Sequence, residues 1–352
     1  MPQGQHIAII GAGMAGITCA RTLLQAGHHV SVFEKSRGVG GRMATRNTPF
    51  GSFDHGAQYF TVRDQRFEAA LNTSPATCKR WSANAVRVLD ALGQVAEASL
   101  PAPQAHWVPV PGMRSLVAQW SGPLTAAGSD AFPALTLQTT VARIERDALN
   151  AQRWQLRTTG ADDSRHVYSG FDSVLLAMPN VQAHSLLQTS KLLPAFARQI
   201  SKVQVAPCWT LMLAFPNANQ PTMSHLGPQW NAARSTHHRI AWLARESSKP
   251  GRKLIERWTV QASAAWSQEH LEDDADRVQA KLLRAFAEVT GIRAEPSHAE
   301  VHRWRYAKTL QPLGKSHLWD RKTGIGVAGD WCLGHRVEDA FVSGLELALA
   351  VA

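Results

Sequence analysis

Cysteine is scarce in this chain. Its 352 residues hold four, Cys19, Cys78, Cys208 and Cys332, and no two form a C-x-x-C pair. A redox dithiol, a zinc knuckle and a disulfide framework are therefore unsupported, and a reducing cytoplasm suits such usage. No uncharged apolar run reaches the roughly 18 residues that a membrane-spanning helix needs. The apolar N-terminal stretch lacks the basic flank of a secretion signal. A net charge of +10 comes without any dense basic block, because Lys and Arg are scattered along the chain. That pattern points away from nucleic acid and towards small phosphorylated ligands. With 44% hydrophobic and 18% charged residues, the chain is globular and long enough for one large or two ordinary domains.

What the chain does have is a phosphate-binding turn in the right setting. Residues 6–10 form a short apolar strand that runs into Gly11-Ala12-Gly13-Met14-Ala15-Gly16. Ile17, Ala20, Leu23 and Leu24 then recur at helical spacing, Gly27 ends the helix, and residues 29–33 form a second strand closing on Glu34. In such a unit the first glycine permits the tight turn and the second admits a pyrophosphate to the backbone. The third lets helix and strand pack closely. The helix N-terminus faces the phosphates. Glu34 is placed to accept hydrogen bonds from an adenosine ribose and to repel a 2′-phosphate, which favours FAD or NAD over NADP.

The segment that follows, Lys35-Ser36-Arg37-Gly38-Val39-Gly40-Gly41-Arg42-Met43-Ala44-Thr45, sets three glycines and two arginines where backbone and guanidinium groups can approach a phosphate. Residues 53–60 mix small, polar and aromatic side chains, as a segment lying on a flat ring would. A short helix is predicted over 66–71, strands over 81–89 and 94–98, a proline-rich connector over 101–111 and a helix from Gly112 to Trp120. A hairpin over 135–144 and 153–159, with Tyr168 in a turn, leads to a buried strand at 172–177. Helices at 181–187 and 195–200 and strands at 203–215, 239–244 and 253–262 come next. An amphipathic helix over 273–290 precedes a strand at 299–306. Gly324-Ile325-Gly326-Val327-Ala328-Gly329 spells a second G-x-G-x-x-G, but its glycines fall within a strand and no βαβ unit follows. It reads instead as a strand of the first sheet, with Asp330 at its carboxyl end and a helix beginning near Val337 that aims its positive end at the same crevice.

These motifs resemble the amine-oxidase-type FAD fold. The strings Asp54-His55-Gly56-Ala57-Gln58-Tyr59-Phe60-Thr61, Gly329-Asp330-Trp331-Cys332-Leu333 and Arg336-Val337-Glu338 resemble its renalase-like branch, as do Trp242-Leu243-Ala244-Arg245, Trp266-Ser267 and His302-Arg303-Trp304. The resemblance implies an α/β plus α+β protein. A discontinuous Rossmann-like FAD-binding domain of glutathione-reductase type (1–72, 110–180, 307–352) would carry an inserted antiparallel-sheet substrate domain (73–109, 181–306) covering the flavin. It implies that Gly11, Ala12, Gly13, Met14, Ala15 and Gly16 contact the pyrophosphate and that Glu34 and Lys35 serve the adenosine side. Gly41, Arg42, Met43 and Ala44 would lie along the cofactor. Val141 would pair its backbone with adenine, and Gln58, Tyr59 and Phe60 would lie near the isoalloxazine. Gly329 and Asp330 would bond ribityl or phosphate oxygens, with Val337, Glu338 and Ala340 capping the pyrimidine end.

The branch further implies oxidation of dihydronicotinamide isomers, with electrons passing through FAD to molecular oxygen. One departure stands out. Where the branch has His in an L-H-A-T-x-x-W-S motif, this chain has Gln261, which cannot be cationic. Gln261, Trp304 and Tyr59 are the candidates for the reacting pocket, with a small-molecule substrate, no metal, no nucleic acid and no membrane expected. Hydride transfer from a dihydropyridine leaves an aromatic cation and requires no general base, which suits a sequence without a nucleophile–base pair. Amine oxidation on the same fold is the alternative. It usually wants a cage of two tyrosines, and only Tyr59, Tyr168 and Tyr306 exist. Cys332, near the flavin by position, is either an attachment point or a packed thiol. The pairs His28-His29 and His237-His238 show no carboxylate or cysteine partner in the sequence.

Overall fold

A computed structural model describes residues 4–81, 86–97, 104–127, 134–218 and 230–352. The strand residues expected at 82–85 and 98, and the first part of the proline-rich connector, lie outside these. The chain forms two compact units, Met1–Arg42 with Val117–Val205 and Thr309–Ala352, and Met43–Leu116 with Ala206–Lys308.

The first unit is built on a six-stranded sheet. From one edge its strands are Leu318–Asp320, Ile325–Val327, Ser173–Leu176, β1 (His6–Ile10), β2 (His29–Phe33) and Leu135–Thr136. All neighbours are parallel except the first pair. The run Ile7 to Ile10 is buried because helices and a second sheet cover both faces. Helix α1 (Met14–Gln25) makes the crossover from β1 to β2, which a parallel pair requires. A three-stranded antiparallel sheet, Thr139–Arg146, Trp154–Gly160 and Arg165–Phe171, contributes Ile144, Trp154, Leu156 and Phe171 to the same core as Ile10, Phe33 and Leu176.

The second unit holds a seven-stranded sheet in which Gln204–Phe215, Glu256–Ala262 and Ile240–Arg245 are consecutive antiparallel neighbours. Helix Ala275–Thr290 lays Val278, Leu282, Ala285, Phe286 and Val289 on it, beside Trp258 and Leu213. Asp274 caps the start of this helix and Gly291, at φ +73°, ends it.

Several sequence expectations shift. Tyr168 sits within a strand, not a turn, and its ring packs edge-on against Phe33 at 4.9 Å, so it belongs to the core of the first unit. The hairpin Arg46–Thr48/Gly51–Phe53, the strand Arg165–Phe171 and the helix Ala264–Glu269 had no sequence signal of their own, and the strand beginning at His298 runs on to Gln311. The compact units also divide the chain differently from the predicted boundaries. Residues 43–72 fall in the second unit because Phe53 packs on Met212 and Ala214. Residues 181–205 fall in the first because Leu186, Leu187 and Ile200 join its core.

Candidate functional site

In the first unit, the glycine turn is fixed before any ligand is considered. Gly11 adopts φ +111°, and its N–H donates to the carbonyl of Phe33 at 2.8 Å. A Cβ on Gly16 would lie 1.9 Å from the carbonyl oxygen of Gly11, so only glycine lets α1 pack this close to β1. Glu34 is buried, and its carboxylate ties the turn to the end of β2. One oxygen accepts the Ala12 N–H and the other the Ser36 N–H, both at 2.8 Å. Each oxygen keeps a lone pair for a further donor. Lys35 is exposed, and Met43 is buried with Ala44 half-buried beside it in sequence.

The arginine loop runs along the turn. Gly40 donates to the carbonyl of Ala12 at 2.9 Å, and Gly41 lies against Gly13. Arg42 then makes a bidentate pair with Asp330, at 2.9 and 2.5 Å. Asp330 is buried at the carboxyl end of the strand Ile325–Val327, immediately after Gly329. The turn, the loop and the C-terminal motif therefore meet in one place. Val141 lies in the neighbouring antiparallel sheet, paired with Thr158 next to a bulge at Ala142.

The C-terminal helix spans Val337–Val351. Its first turn carries Glu338 and Asp339, Asp339 accepts the Arg336 N–H at 2.9 Å, and Glu338 is buried. These carboxylates offset the partial positive charge expected beside Val337 and Ala340. Cys332 is fully buried, and burial pushes its thiol up to about 12, which leaves it protonated and a poor nucleophile.

In the second unit the three pocket candidates converge on one stretch of backbone. Gln261 donates to the carbonyl of Gly56 at 2.7 Å, and Trp304 donates its indole N–H to the carbonyl of His55 at 2.9 Å. Tyr59 stacks on His106 with centroids 3.9 Å apart, near Trp242. Phe60 exchanges both backbone hydrogen bonds with Trp107. The Gln58 amide is fully engaged, donating to the carbonyls of Asp54 and Gly56 and accepting from Lys249.

Beneath this segment lies a charge cluster that sequence reading missed. Asp54 has no exposed surface and accepts from Lys249 at 3.2 Å, Arg252 at 2.7 Å, the Thr45 hydroxyl at 2.8 Å and the Met113 N–H at 2.8 Å. Glu246 is equally buried. One of its oxygens accepts from Lys249, Thr259 and the Asp54 N–H, and the other has no partner. The two flanking cations hold the Asp54 carboxyl below its usual range despite its burial. Burial raises Glu246 instead. Nothing in Ser247-Ser248-Lys249-Pro250-Gly251-Arg252 signals burial, because charged and turn-forming residues ordinarily mark an exposed loop. His55 and His302 meet edge-on at 4.8 Å beside Trp304. Desolvation first, then neighbouring positive charge, lowers His55 to about 3 and His302 to about 4, so both rings are neutral near pH 7. Elsewhere, His237 does find a carboxylate, Glu288, at 3.3 Å. No group of residues suited to a metal occurs among the described residues.

Comparison with known proteins fits this arrangement. Residues 9–73 match the NAD(P)-binding Rossmann-like domain, and residues 102–352 match the flavin containing amine oxidoreductase family. The chain belongs to that family. Cyclohexylamine oxidase from Brevibacterium oxydans IH-35A superposes with a TM-score of 0.72 at 13% identity, covering 99% of this chain and 98% of that one. An engineered putrescine oxidase gives 0.70 at 12%, with the same coverage. Curated relatives match only locally. A 4,4'-diapophytoene desaturase of Staphylococcus haemolyticus is 36% identical over 81 residues, 20% of this chain and 16% of its own length. The L-amino acid oxidase Cdc18 of Crotalus durissus cumanensis is 54% identical over 41 residues, 12% of this chain and 8% of its own.

FAD is the cofactor of this family, and the residues of the first unit fit it. A Cβ on Gly13 would meet no protein atom within 4 Å, so the backbone there is open to a ligand. The first turn of α1 has neither a side-chain cap nor an acidic residue, which leaves its N–H groups suited to a pyrophosphate. Glu34 would hold the ribose, and Arg42 and Asp330 would address the phosphate and ribityl oxygens.

Two outcomes are expected from the second unit. Asp54→Asn leaves Lys249 and Arg252 buried without their counter-charge and should cost about 3–5 kcal/mol in denaturant unfolding. Glu246→Gln, at a carboxyl that burial raises, should cost less than Asp54→Asn, and equal losses in the two variants would contradict that ranking. The second concerns acid. Histidines with lowered native pKa values bind fewer protons folded than unfolded, so their contribution is complete above pH 6.5 and fades as pH falls towards 4 and then 3. His302→Gln should flatten the fall in melting temperature over that window, and an unchanged slope would count against the neutral pair.

Proposed function

We propose that this chain is a renalase-like, FAD-dependent oxidase that takes a hydride from a dihydronicotinamide-type or similar small substrate and is reoxidised by molecular oxygen. One observation carries the reading: among the described residues, the ionisable groups packed around residues 54–58 are either held in hydrogen bonds or only weakly basic. Lys249 donates to Asp54, Glu246 and Gln58 together, which ties its Nζ to the fold. Asp54 is saturated by four donors, and His55 and His302, lowered to about 3 and about 4, are weak bases. FAD, when bound, supplies the hydride acceptor. The chain's own residues then need only hold the donor carbon in place and keep water away. A dihydropyridine donor makes no further demand, because its product is an aromatic cation. Tyr59, Gln261 and Trp304 are the residues we assign to the substrate side.

A second reading, oxidation of a small amine or desaturation of an apolar substrate, has one observation in its favour. Tyr59 and Trp242 lie 5.7 Å apart and offer aromatic faces to a neutral amine. Tyr168 packs against the core of the first unit. Mixing the FAD-loaded protein without oxygen with dihydronicotinamide isomers separates the two. Loss of the flavin absorption band within seconds, followed by peroxide release in air, is the expected result. Persistence of the band with every dihydropyridine, together with peroxide release from an amine panel, would overturn the first reading in favour of the second.

A further inference from the structure

Gln261 and Trp242 are directly opposed on neighbouring antiparallel strands, so their side chains leave the same face of the sheet with Cβ atoms about 5 Å apart. The amide of Gln261 cannot turn freely. The carbonyl of Gly56, 2.7 Å away, can only accept, so the amide nitrogen faces it and the amide oxygen is directed elsewhere, with no protein donor among the described residues. Trp242 supplies the complement. Its indole N–H is buried without an acceptor, and its ring lies 5.7 Å from that of Tyr59. One acceptor and one donor thus leave the same face of the sheet beside the tilted ring of Tyr59, and neither side chain is charged.

We infer that Gln261 and Trp242 form a recognition site for a primary carboxamide on a planar ring, with the ligand NH2 donating to the Gln261 oxygen and its carbonyl accepting from Trp242 Nε1. A carboxylate has no proton for the glutamine oxygen, and an ammonium has no lone pair for the indole. Of these three, only the neutral amide satisfies both groups, and a buried polar atom left unmatched disfavours the wrong ligand strongly. On the oxidase reading above, the group recognised is the carboxamide of the dihydronicotinamide, and substitution of that carboxamide by carboxylate is what the pair selects against. Neutral Gln261 fits this role where a cationic side chain would not discriminate in the same sense.

The FAD-loaded protein titrated with benzamide, benzoate and benzylamine tests the pair without turnover, read by tryptophan fluorescence and by perturbation of the flavin spectrum. Benzamide should bind at least about tenfold more tightly than either of the others. Trp242→Phe, which keeps the ring and removes only the N–H, should abolish most of that preference, and so should Gln261→Leu. Equal or tighter binding of benzoate or benzylamine would overturn the inference, as would a preference that survives both substitutions. Flavin bleaching by dihydronicotinamides without an amide preference removes this inference alone. An amide preference without bleaching removes the oxidase reading alone.

Discussion

The pairing of Arg42 with Asp330 is the contact on which the first unit's site depends. Asp330 is buried, and a carboxylate in that position needs a counter-charge and hydrogen bonds to offset its lost hydration. The guanidinium provides both at once through two parallel bonds, a geometry that lysine cannot reproduce. Because 288 residues separate the partners, this pair also brings the glycine turn and the C-terminal motif together. The sheet makes the meeting possible. Ile325–Val327 and β1 flank Ser173–Leu176 in parallel, so Asp330 and Gly11 both emerge at carboxyl ends, where open α/β sheets bind their ligands.

The second unit solves a different problem, that of holding an irregular polar segment still. Residues 54–58 lie outside any strand or helix, yet their backbone carbonyls are claimed by Gln58, Gln261 and Trp304. Asp54 anchors the segment from beneath through Lys249 and Arg252. Buried ion pairs of this kind add little net stability over an apolar core, but losing one partner is costly, so they specify a single arrangement more than they strengthen it. A consequence for chemistry follows. Groups committed to holding the segment are not available as acids or bases.

Much of the first unit was legible in the sequence because its determinants are local. Gly11, Gly13, Gly16 and Glu34 occur at fixed spacing within one βαβ unit, and the strand at 325–327 is distinguished from a second nucleotide turn by the absence of a following crossover. The second unit was harder to read. Lys249 and Arg252 look like surface residues because their burial depends on Asp54, nearly 200 positions earlier in the chain. Tyr168 was assigned to a turn because Gly170 and the polar residues before it mask a strand whose inward positions are only alternate ones. The acids at Glu338 and Asp339 were visible, yet their effect on the helix end follows only from the cap that Asp339 makes.

The central claim is that one FAD is held by the glycine turn together with the Arg42–Asp330 region. It is tested most directly by titrating cofactor-free protein with FAD and comparing the unaltered chain with Gly13→Val. Gly13 has ordinary extended φ and ψ, and a Cβ there meets no protein atom within 4 Å, so the fold should survive the substitution. The account predicts one FAD per chain for the unaltered protein and no uptake by the valine variant at an unchanged melting temperature of the cofactor-free form. Equal FAD uptake by the two proteins, or none by either, would contradict it.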